Sequence, residues 1–240
     1  MKRNWMIILG LVVVVLAMAG PAQATSTCSA SSTTGTCSIN LTVTNGFGPN
    51  GQVYGTVTLT LNGNGTITVD VAAPSGFGFH NNPFGLNLAS DITNVAVVGT
   101  PTYTFAGSDP GAPTIGAQGQ MDGFGSFSYG VTGGGSGSSS DYTDINFTLS
   151  AKDNGVAGFD ALSDVINGNT AGANNFFAVQ VADLNVANCT GWAGTTGSVN
   201  GGGGTSQCVP GTQTPEPGSL GLFGTGLLAL GTIIRRKYFA

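Results

Sequence analysis

Residues 56–71 constrain the fold more than any other stretch of this chain. Val57, Leu59 and Leu61 alternate with Thr56, Thr58 and Thr60. After Asn62-Gly63-Asn64-Gly65 the alternation resumes, with Ile67, Val69 and Val71 against Thr66, Thr68 and Asp70. A period of two sends the apolar set to one face of a strand and the polar set to the other. Asn-Gly supplies the positive φ that a tight turn requires. The segment predicts a β-hairpin with one buried and one solvated face.

Shorter stretches repeat the signal. Residues 38–44 place Ile39, Leu41 and Val43 on one side, and 95–98, 124–129, 144–149 and 176–181 read as further strands. One short helix is expected over 158–167, where Phe159, Leu162 and Val165/Ile166 fall at helical spacing and Asn167-Gly168 supplies a stop. Elsewhere Gly and Pro punctuate too often for long helices; 41 of the 240 residues are Gly. Many short strands separated by turns predict an all-β domain, an antiparallel β-sandwich, with a jelly-roll-like topology as the more specific expectation. A closed barrel is the alternative. A β-helix is disfavoured, because no internal repeat is present.

The two ends stand apart from this domain. Lys2 and Arg3, an apolar run over 6–18 and Ala22-Gln23-Ala24 have the layout of a secretory signal peptide over 1–24, cleaved after the A-x-A site at Ala22 and Ala24. The β-rich extracytoplasmic domain then covers 25–197. A Gly-rich, Pro-bearing linker follows over 198–213. The tail, 214–240, reads Thr214-Pro215-Glu216-Pro217, an uncharged run over 218–234, and Arg235-Arg236-Lys237. Seventeen residues at about 1.5 Å each reach roughly 25 Å as a helix, near the lower limit for a single transmembrane helix. The basic end sets the orientation, leaving 25–214 outside. Two prolines hold the strip before the membrane extended and remove two amide donors, a form that a processing enzyme can accept in a cleft.

Signal peptide, Pro-Glu-Pro, apolar run and basic stop together resemble the PEP-CTERM sorting tail of exported proteins of Gram-negative bacteria. The resemblance implies that Pro215, Glu216 and Pro217 are the sorting motif and that Arg235, Arg236 and Lys237 are the membrane stop. It also implies processing by an exosortase, a membrane-embedded cysteine transpeptidase. An inner-membrane-anchored precursor would then pass to the cell surface or the extracellular matrix.

Charge narrows the partners. Residues 25–214 carry ten Asp and no Glu against one basic residue, Lys152, a net charge near −9. Nucleic-acid binding depends on Lys and Arg contacts to phosphate, so a nucleic-acid partner is excluded. Neutral exopolysaccharide and divalent cations are compatible. The four cysteines allow three pairings, and an exported chain is exposed to an oxidising compartment. Cys28–Cys37 and Cys189–Cys208 are favoured, because each closes a short loop.

No constellation for catalysis stands out. There is no G-x-S-x-G, H-E-x-x-H or P-loop, and His80 is the only histidine. No cofactor or metal site is expected. Calcium is the least unfavourable small ligand, with Asp153, Asn154, Asp160 and Asp164, or Asp141 with Asp144, as candidate oxygen donors; Asp in solvated turns explains the same residues. The expected function is that of a non-enzymatic, surface-sorted structural or biofilm-matrix protein. A carbohydrate-binding module is the alternative, motivated by Tyr54, Tyr142 and Trp192 as exposed aromatics, and an exported hydrolase using His80 and an Asp is the third.

Overall fold

A computed structural model describes Cys28 and residues 35–45, 47–81, 83–109, 111–121, 123–133, 140–168, 175–187 and 189–195. The expected signal peptide, linker, sorting motif and transmembrane segment, and Cys208, lie outside the described residues. The chain divides into two units, Met1–Gln207 and Cys208–Ala240, and every described residue belongs to the first. No helix among the described residues is long and apolar enough to cross a membrane.

In chain order the strands are β1 (Thr36–Leu41), β2 (Val43–Thr44), β3 (Gly55–Leu61), β4 (Ile67–Ala72), β5 (Phe77–Phe79), β6 (Phe84–Leu86), β7 (Ile92–Gly107) and β8 (Thr114–Gly116). They continue with β9 (Gln120–Met121), β10 (Gly125–Ser126), β11 (Tyr129–Thr132), β12 (Ser140–Asp153), β13 (Val156–Ala157), β14 (Phe177–Asp183) and β15 (Thr190–Gly194). All strand pairings are antiparallel.

The β3–β4 hairpin forms with Leu59 opposite Val69 and Val57 opposite Val71. β12 continues the same rows, placing Phe147 opposite Val69 and Ile145 opposite Val71. β1 adds Cys37 and Ile39 on the far side of β3, and β7 flanks the other edge of β12. The result is a five-stranded sheet in the order β1-β3-β4-β12-β7. Val57, Leu59, Ile67, Val69, Val71, Ile145 and Leu149 are fully buried on its inner face. Leu61, at the turn end of β3, is only half-buried.

The outer face is a lattice of short polar side chains. Thr36 bonds Thr60 at 3.0 Å, Ser38 bonds Thr58 at 3.0 Å, and Thr68 bonds Thr148 at 3.1 Å. Asn146 donates to Asp70 at 3.1 Å, and Thr56 donates to Asn40 at 3.1 Å. These contacts follow the cross-strand registers, where directly opposed side chains lie close enough to bond.

A second layer is built on β14, which pairs with β5 and β6 on one side and with β15 on the other. β6 leads on to β11 and β8. The two layers share strands at two corners. At one, β12 turns from β4 to β5 through Tyr142 opposite Phe79. At the other, the chain passes from β1 through Thr42 into β2, which pairs with β15. The Thr42 N–H donates to Gly194 O at 3.0 Å. The ladder therefore closes on itself, a sandwich-like arrangement whose corners are strands that change sheets. Between the layers Phe84 stacks on Phe177 at 5.7 Å and meets Phe147 at 6.3 Å. Gly55 marks a close approach of the layers: a Cβ there would lie 3.1 Å from both Leu41 and Phe79.

β14 is buried on both faces because a small hairpin, β9–β10, covers its outer side. Met121, Phe124 and Phe127 pack there on Ala178 and Trp192, and Val43 joins them. The strand expected over 124–129 is accordingly different. Only Gly125–Ser126 is a strand, Phe124 and Phe127 turn inward as anchors, and a new strand begins at Tyr129.

The helix expected over 158–167 is also corrected, to a single 3₁₀ turn, Leu162–Asp164. Gly158 adopts φ 102° in a bridge to Lys152, and Ala161 is extended. Phe159, Leu162, Val165 and Ile166 are nevertheless all buried. Their spacing reflects one turn capping the core, with Ile166 bridging to Asn87.

The two faces of the hairpin separate in a mutational test. Leu59→Ala should lower stability by about 2–5 kcal/mol in urea denaturation, the usual cost of emptying a tight core site. Thr58→Ala removes one half-exposed hydroxyl contact, at about 1 kcal/mol or less. Equal losses would contradict the assigned faces.

Candidate functional site

Two groups of titratable side chains come together in the domain, the first from residues distant in sequence. The first is a pair. β5 ends at Phe79, and the His80 N–H donates to Gln180 O at 2.8 Å, which fixes the residue at the β5–β14 edge. The His80 ring Nδ1 lies 2.6 Å from Asp141 Oδ1, and both side chains are largely buried. The ring N–H donates to the carboxylate. Gly78 leaves room for this contact, since a Cβ there would press on Asp141 Cβ. A His–Asp pair is the base-and-orienter half of a hydrolytic triad. Among the described residues, however, no Ser, Thr or Cys side chain is hydrogen-bonded to the His80 ring.

The second group is acidic. Asp153 closes β12, Asp160 follows β13, and Asp164 sits in the 3₁₀ turn. Their carboxylate oxygens lie within 4.8 Å of one another. Asn154 and Gly155 make the β12–β13 turn with φ 46° and 82°, the left-handed pair that a two-residue hairpin needs. Asn154 Nδ2 donates to Asp153 Oδ1 at 3.0 Å and to Asp91 Oδ2 at 3.3 Å, bringing a fourth carboxylate to the edge of the group. Asp164 accepts the backbone N–H groups of Asp160 and Ala161 at 3.2 and 3.1 Å, which ties the turn together.

Burial raises the Asp164 carboxyl above its ordinary value, opposed by those two N–H bonds and reinforced by Asp160 and Asp91. Asp153 is raised by desolvation and by Asp160, Asp164 and Asp91. Asp153, Asp160 and Asp164 are the described residues whose oxygens could converge on a hard cation. The other pair considered from the sequence does not converge: Asp141 faces His80, whereas Asp144 lies across a β-bulge and is raised by burial and by Asp70.

The aromatics named as exposed are buried. Tyr54 and Tyr142 are each 1 % exposed and Trp192 is 9 % exposed. Tyr54 packs edge-on against Phe47 and Phe77, donates to Pro49 O at 3.0 Å, and its hydroxyl is pushed up to about 12 by burial. The Tyr142 hydroxyl donates to Gly111 O at 2.9 Å. Trp192 belongs to the small cluster under β9–β10. A disulfide joins Cys28 to Cys37 and ties the segment before β1 to that strand. Cys189 is disulfide-bonded too, and the pairing with Cys208 lies outside the described residues.

Comparison with known proteins gives one match. The PEP-CTERM protein-sorting motif covers residues 213–237. The chain is a PEP-CTERM domain-containing protein. The matched span holds Pro215-Glu216-Pro217 and ends on Lys237, the last residue of the basic stop. No curated protein and no solved structure matches the chain. The PEP-CTERM motif implies an exported protein, anchored in a membrane as a precursor and sorted to the cell surface through an exosortase.

The acidic group makes this PEP-CTERM protein respond to pH in a definite direction. Carboxyls raised in the folded state bind more protons there than in the unfolded chain. Stability therefore rises as pH falls through the raised values, and the gain is complete below the ordinary carboxylate range. Thermal unfolding should give a higher Tm just above the ordinary carboxylate range, at about pH 4, than at pH 7. Asp160→Asn should raise the Tm at pH 7 and flatten this rise. A Tm that falls steadily over that whole range would contradict the assignment.

Proposed function

We propose that the protein is a non-enzymatic structural component of the cell surface or extracellular matrix, delivered there by exosortase processing at its C-terminal tail. The PEP-CTERM match over 213–237 carries this reading. The domain supports it through its build. Its outer sheet face is held by hydroxyl and amide contacts between strands. The face also carries Asp70 and Asp144, and the mature segment is acidic overall, which is compatible with contact to uncharged exopolysaccharide or to other surface proteins.

The carbohydrate-module alternative loses its motive, because the three aromatics that prompted it are buried. The hydrolase alternative retains one observation, the His80–Asp141 pair, to whose ring no Ser, Thr or Cys side chain is hydrogen-bonded among the described residues.

In this reading the parts of the tail have separate tasks. Pro215-Glu216-Pro217 is read by the enzyme, while 218–234 and Arg235-Arg236-Lys237 hold the substrate in the membrane. Glu216→Ala leaves the apolar run and the basic stop unchanged, so the precursor should accumulate in the inner membrane at full length. Mass spectrometry of wild-type surface material should find no peptide containing residues 235–240. An intact tail on most of the surface protein would leave only a simple membrane anchor. The His80→Ala variant should reach the surface and function there as wild type does; loss of a host phenotype with normal surface level would favour the hydrolase.

A further inference from the structure

We draw no further inference here: the strongest candidate, the Asp153, Asp160 and Asp164 carboxylates gathered at the β12–β13 turn, is an acidic cluster beside which no second feature of the described residues points to a ligand.

Discussion

β12 is hydrogen-bonded along both of its edges at once, and the closure of the domain depends on that. On one side it holds β4 over six consecutive pairs and β5 at Tyr142; on the other it holds β7. Such a strand has no solvated edge, so its backbone groups are satisfied only if both neighbours are in place. The bulges between Tyr142 and Asp144 and between Asn146 and Thr148 let one strand serve two layers. A bulge bends the strand and sharpens its twist, which is how β12 leaves β4 and reaches β5. At the opposite corner Thr42 does the same for the chain between β1 and β2.

Within that frame, close packing takes the place of charge. Val57, Leu59, Val69, Val71, Ile145 and Phe147 form rows across three strands, and Phe84, Phe147 and Phe177 join the layers. Glycine is part of the packing. Gly55 admits Leu41 and Phe79, and Gly194 admits Phe124, so large rings sit directly on backbone. The polar face follows the same economy. Short hydroxyls and amides bond to the residue directly opposite, where long charged side chains would lose more rotamer freedom to be fixed.

Address and domain obey different physics. The tail works through a linear order of extended strip, apolar run and basic stop, and the PEP-CTERM match over 213–237 reads that order. The domain works through surfaces assembled from distant segments. Its acidic group joins Asp91, Asp153, Asp160 and Asp164 across two turns, and its His80–Asp141 pair spans 61 positions. Neither is a motif. Without a local spacing there was no signal by which to find Asp91 or to choose Asp141 for His80.

The sequence by itself determined the β3–β4 hairpin, its buried and polar faces, the all-β class and the sorting tail. Each follows from periodicity or order over a few neighbouring residues, and such patterns survive whatever the rest of the chain does. Burial on both sides of a strand obeys no such rule. Tyr54, Tyr142 and Trp192 looked like surface aromatics, yet Tyr54 is covered by the loop at Phe47–Pro49 together with Phe77, and Tyr142 and Trp192 by segments far away in the chain. Phe124 and Phe127 looked like strand residues and became anchors, because β14 and β15 offered an apolar outer face to cover. The spacing of Phe159, Leu162 and Val165 fitted a helix and was satisfied by one 3₁₀ turn, since the bridge at Gly158 and the Asp164 carboxylate had already fixed the backbone. Tertiary structure decided these points because each depends on which distant surface needs covering, and a local pattern holds no information about that.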